Sequence, residues 1–134
     1  MATALILDTD GDSARAVAEM LAELKFKSFF ANTVADAESI LSEHRIEGVI
    51  IEPHLQDGVY AGLDFVDELL FDGWAPRRVL VLTESQSVEL SRQCAEMGVA
   101  VRRKPMEIEY LDQVVSRWIN PSAALRQAEP EFSG

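Results

Sequence analysis

Ala4-Leu5-Ile6-Leu7, followed at once by Asp8-Thr9-Asp10, is the stretch on which the reading of this chain turns. Four consecutive apolar residues with no polar alternation are what a short strand covered on both faces looks like. Three more runs end in the same way. Val49-Ile50-Ile51 ends in Glu52, Val79-Leu80-Val81-Leu82 in Thr83, and Val99-Ala100-Val101 runs toward Lys104-Pro105. In an open parallel α/β sheet the carboxyl ends of the strands share one edge, where such folds place their sites. Acids, a hydroxyl and a lysine spread over about a hundred residues would therefore meet in one pocket.

Helical patterns fill the gaps between these runs. Asp12-Ser13 can cap a helix over residues 14–24, with Ala18, Leu21 and Ala22 at helical spacing. Phe26, Phe29 and Phe30 mark a strand at 27–31, and Thr33 can cap a helix over 34–44 with Ala37, Ile40 and Leu41 inward. Pro53-His54-Leu55-Gln56-Asp57-Gly58 reads as a loop, before a helix at 62–71. A strand at 78–82 precedes a helix begun by Ser85 or Ser87 and closed by Gly98 after Met97. A strand at 99–101 and a helix over 107–119 complete the pattern. Repeated strand–helix units imply right-handed crossovers. The fold expected is α/β: a doubly wound (βα)5, flavodoxin-like five-stranded parallel sheet of order 2-1-3-4-5 with helices on both faces. The domain spans residues 1–120. From Asn120-Pro121 the pattern fades, and 121–134 reads as a flexible C-terminal tail in which Leu125 and Phe132 could dock weakly.

Composition bounds the function. The 134 residues, 48% hydrophobic and 26% charged, suit one soluble globular domain. No apolar run approaches the roughly 20 residues that span a bilayer, and the start lacks the basic and apolar regions of a signal peptide. A cytoplasmic protein without membrane contact is expected. Twelve basic against 23 acidic residues give a net charge of −11, which opposes binding to nucleic-acid phosphates. The short basic clusters Arg77-Arg78 and Arg102-Arg103-Lys104 read as strand flanks. The single cysteine, Cys94, excludes an internal disulfide and reads as a small core hydrophobe. His44 and His54 lack the spacing of a metal pair, and Asp10-Gly11-Asp12 lacks the glycines of a phosphate-binding loop.

The order and chemistry of the four strand ends resemble the receiver domain of bacterial response regulators over about residues 3–119. The resemblance implies roles. Leu7-Asp8-Thr9-Asp10 is similar to the family's acidic, Mg²⁺-binding segment, but Thr9 stands for the second acid of the pair and Asp10 substitutes for it only in part. As plain loop acids, Asp8 and Asp10 would instead be dipole partners of the following helix. Glu47-Gly48-Val49-Ile50-Ile51-Glu52 resembles the strand that ends in the phosphate-accepting aspartate, with Glu52 in the acceptor's place. Leu55-Gln56-Asp57-Gly58 and Gly62-Leu63-Asp64-Phe65 resemble the loop and helix that follow. Thr83 matches the hydroxyl that contacts the phosphoryl group, and Lys104-Pro105 the Lys-Pro pair whose lysine bonds it. Glu84 replaces a residue that is usually small, and Val101 replaces the aromatic rotamer switch.

Each departure weakens phosphoryl chemistry. Glutamate's extra methylene moves the carboxylate by about 1.5 Å, and phosphoryl transfer depends almost wholly on positioning. Lys104 is expected to pair with Glu52 or Asp8. No metal is expected, beyond weak Mg²⁺ at Asp8, Asp10 and Glu52. The reading is a degenerate receiver that signals through protein contacts, is not an enzyme, and needs no aspartyl phosphorylation. Its partner is a kinase, a downstream effector or a second copy. The resemblance places the output surface on Gln86–Met97, Arg102-Arg103 and Glu107–Trp118. A working phosphoacceptor with an unusual site is the main alternative, and a small flavodoxin-like enzyme or ligand-binding protein the other.

Overall fold

The apolar runs become strands and the patterns between them helices. A computed structural model describes residues 1–121 apart from Val59 and Gln86; the expected tail lies, but for Pro121, outside the described residues. In chain order the elements are β1 (Thr3–Leu7), α1 (Gly11–Glu23), β2 (Lys27–Ala31), α2 (Val34–Glu43) and β3 (Gly48–Ile51). These are followed by α3 (Ala61–Phe71), a 3₁₀ turn (Pro76–Arg78), β4 (Val79–Thr83), α4 (Val88–Met97), β5 (Ala100–Arg103) and α5 (Ile108–Ile119). All neighbouring strands are parallel, in the order β2-β1-β3-β4-β5. The expected flavodoxin-like fold is the observed one.

Strand alternation builds two cores from one sheet. Leu5, Leu7, Val49, Ile51, Val79 and Val81 face α2, α3 and α4, whose Ala37, Val66 and Leu90 are buried against them. Ile6, Ile50, Leu80 and Leu82 face α1 and α5, meeting Val17, Leu21, Leu111 and Val114. Both faces are covered, which is why the central strands carry no polar alternation. Trp118 of α5 lies flat where a side chain at position 48 would stand, so only glycine fits there, and its ring meets Phe26 edge-on at 5.7 Å. Cys94 is fully buried in the first core, and burial pushes its thiol up to about 11.

Four local expectations are corrected. Helix α1 starts at Gly11 and is capped by Asp10, not Asp12-Ser13, because Asp10 Oδ1 accepts the Asp12 and Ser13 N–H groups at 3.0 and 3.3 Å. Ala22 is exposed on the outer face of that helix. Arg78 precedes β4, turning its guanidinium to the Ile46 and Glu47 carbonyls and over the half-buried Trp74 ring at 4.4 Å. Strand β5 runs two residues beyond Val101, since pairing with β4 continues to Thr83 opposite Arg103. That extension places Lys104 at the sheet edge.

Candidate functional site: an ion triad at the sheet edge

The ladder continues one residue past the strands. Glu52 N–H donates to the Leu7 carbonyl at 2.9 Å, Lys104 N–H to Thr83 at 2.8 Å, and Asp8 N–H to Ala31 at 3.0 Å. These bonds hold Asp8, Glu52 and Lys104 at one edge of the sheet, at the ends of β1, β3 and β5, with β4 and its Thr83 between Glu52 and Lys104. Lys104 Nζ reaches Asp8 Oδ2 at 2.9 Å and Glu52 Oε2 at 3.1 Å. All three side chains are largely buried; that of Lys104 is only 11% exposed. Two carboxylates thus share one ammonium.

The remaining oxygens are also engaged. Asp8 Oδ1 accepts the Asp10 N–H at 3.0 Å, Glu52 Oε1 the His54 N–H at 3.1 Å, and Thr83 Oγ1 the Ser85 N–H at 3.2 Å. At three strand ends, then, a side chain folds back onto the amide two residues on, the local bond that Asp and Thr favour where regular structure stops. Burial by itself lowers the pKa of Lys104, but its hydrogen bonds and charge attraction to Asp8 and Glu52 outweigh that, and the net shift is upward. The ammonium is therefore fixed in its charged form.

Above the triad lies a pocket of about 300 Å³ lined by Asp8, Glu52, Thr83 and Lys104 with Thr9, Asp10, His54, Glu84 and Ser85. The structure brings every expected pocket residue to it. Asp10 and Thr9 sit on its exposed rim, Asp10 with one oxygen committed to capping α1. Val101 lies apart, half-buried against the α2–α3–α4 core. Next to it, Arg102 stacks over Tyr110 at 4.2 Å and pairs with Glu107 at 3.2 Å. The Lys104–Pro105 peptide is cis.

A hard divalent ion needs several free oxygen donors. Here both oxygens of Asp8 and of Glu52 have partners, a threonine replaces one acid, and Asp10 turns to its helix. Among the described residues no group of three or more His, Cys, Asp or Glu side chains is disposed to hold a metal. The donor set fits magnesium poorly. One participant was missed from the sequence, the backbone of His54. The signal was present in the turn that follows Glu52, where an acid two residues before a free amide can accept from it.

No protein-family model matches the sequence, and no curated protein matches it significantly. Solved structures do match. A response regulator receiver protein from Pseudoalteromonas atlantica aligns with a TM-score of 0.73 at 22% identity, covering 90% of this chain and 98% of that one. A two-component response regulator from Clostridium difficile gives 0.77 at 18% identity, covering 89% and 96%. The non-phosphorylated HemR receiver domain from Leptospira biflexa gives 0.73 at 20% identity, covering 90% and 95%. With TM-scores of 0.73 to 0.77 and nearly full mutual coverage, this chain has the fold of the response regulator receiver domain.

Proposed function

We propose that the protein is a signalling module that acts by protein–protein contact, with Glu52 holding the place of a phosphate-accepting aspartate. It has no catalytic role of its own and does not depend on aspartyl phosphorylation. The observation that carries this reading is the closed ion triad. The carboxylate that would attack a phosphodonor, and the lysine that would bind the product, already neutralise one another through Lys104 Nζ to Glu52 Oε2 at 3.1 Å. An exposed Glu84 at the mouth adds charge that opposes an anionic donor. The misfit of the donor set to magnesium supports the same reading, since charge neutralisation by the metal is central to phosphoryl transfer. A glutamate carries one negative charge against roughly −1.5 to −2 for a phosphorylated side chain, so it mimics that state in part.

The output surface falls on α4, β5 and α5, where Arg102 is held by Glu107 and Tyr110. A kinase, an effector or a second copy is the partner that this surface serves. Neither nucleic acid nor a membrane is expected to serve; the described residues include no helix long and apolar enough to cross a bilayer.

The test is intact mass after incubation with a small-molecule phosphodonor and magnesium, run on wild type, Glu52→Asp and Glu52→Gln, together with partner binding. No mass gain in wild type, and loss of binding in Glu52→Gln, is the expected result. A gain of one phosphoryl group in wild type that hydroxylamine removes, as it does an acyl phosphate, would establish the working phosphoacceptor instead. Titration calorimetry is expected to show weak magnesium uptake; tight stoichiometric binding lost in Asp8→Ala would overturn the account of the site.

A further inference from the structure

Beside the acid pocket runs a second, larger groove of about 500 Å³, between α1 and the segment that joins β5 to α5. Its floor is apolar, formed by Val17 and Met20 of α1, Leu82 of β4, and Met106. Its rim is acidic: Asp10 and Asp12 at the start of α1, and Glu84 beyond β4, all exposed. Among the described residues Lys104 is the one basic residue in the lining, and its ammonium is committed to Asp8 and Glu52. The amino end of α1, which would otherwise attract an anion, is already matched by Asp10 and Asp12.

We propose that this groove binds a small organic cation, an alkyl or aryl body ending in an amine or guanidinium. The volume lies in the range of small-molecule sites, roughly 300–1,000 Å³, and so does the combination of an apolar floor with a few polar groups. Charge complementarity decides the class. An anionic ligand of the same body meets three carboxylates, whereas a cationic one places its apolar part on Val17, Leu82 and Met106 and its head toward Asp12 and Glu84. The inference does not rest on the signalling role, since it uses none of the Glu52 chemistry.

The experiment is an amide chemical-shift titration of the ¹⁵N-labelled full chain with octylguanidinium, and separately with octanoate, both below their micelle concentrations. Saturable shifts confined to residues around the groove are expected with octylguanidinium. Octanoate should bind at least about tenfold more weakly, the scale set by two carboxylates near the head group in water. Asp12→Asn with Glu84→Gln should bring the two ligands to similar affinity, and Ala16→Trp, an exposed lining position, should block both. Equal binding of both ligands by wild type, saturable shifts elsewhere, or no saturable shift with octylguanidinium would each overturn the proposal. The wild-type comparison decides even where a variant fails to fold.

Discussion

Lys104 is the residue on which most depends. Removing one partner of a buried ionic group leaves uncompensated charge and costs about 3–5 kcal/mol. Lys104→Met, which strands two carboxylates at once, should show that loss in urea denaturation at neutral pH, while Arg92→Met should change stability little, because solvent screens its exposed pairs. Arg92 bonds Glu89 and Glu96, but on the exposed face of α4. The pH dependence follows from the upward shift at Lys104. A group whose folded pKa is raised contributes stability that is complete below the unfolded value and is lost as pH rises through the folded one. The difference between wild type and Lys104→Met should therefore hold up to the ordinary lysine range, about pH 10.4, and shrink as pH rises beyond it. Cys94 and Tyr110, both raised by burial, lose stability in the same direction in either protein, so the difference isolates the lysine. A gap that stays constant as pH rises beyond that range would show that Lys104 acts by packing alone.

At the scale of elements, two short contacts set the site's frame. Gly62 at the start of α3 packs directly on the end of β3: a Cβ there would collide with the Glu52 carbonyl and lie 2.7 Å from Pro53 Cα. Both obstacles are backbone, so Gly62→Ala must push α3 from the strand, at a cost of about 1–3 kcal/mol. Because the displaced strand end carries Glu52, partner binding should fall with stability, and equal binding at full occupancy of the folded state would separate the two. Asp10→Ala, which removes the α1 cap, should cost about 1 kcal/mol. These elements also show what could be read from sequence. Strand identity was legible at β1, β3 and β4 because each buried run is apolar and ends in a polar residue. The order 2-1-3-4-5 was instead an inference from the repeated strand–helix pattern, which does not force it. Thr33 was legible as a cap because it directly precedes its helix, while Ser85 and Ser87 both stood open for α4 until the bond from the Leu90 N–H to Ser87 Oγ decided for Ser87. Asp10 was less so, since Asp10 and Asp12 are equally good caps by type, and only the return of Asp10 Oδ1 onto two amides decides between them. The shared ammonium was half legible: the lysine's pairing with a carboxylate could be expected, but simultaneous contact with both depends on β5 extending to Arg103. The apolar groove under α1 left no local trace, because its floor comes from three separate elements.

For the whole molecule, charge is the dominant long-range term. A net charge of −11 repels itself at every distance that salt does not screen. Raising sodium chloride from about 0.02 M to about 0.5 M shortens the screening length from about 20 Å to about 4 Å, and Tm should rise. A fall would mean that exposed pairs such as Arg102–Glu107 outweigh the repulsion. The triad also has a consequence for how the chain comes into being. Translation starts at the amino end, and Lys104 is made 96 residues after the Asp8 that it neutralises. Until β5 leaves the ribosome, the nascent β1–β3 pair cannot close its edge without carrying two unmatched anions out of water. The strand added last is thus also the one that discharges the rest, and a chain stalled before it should stay unfolded and open to proteolysis.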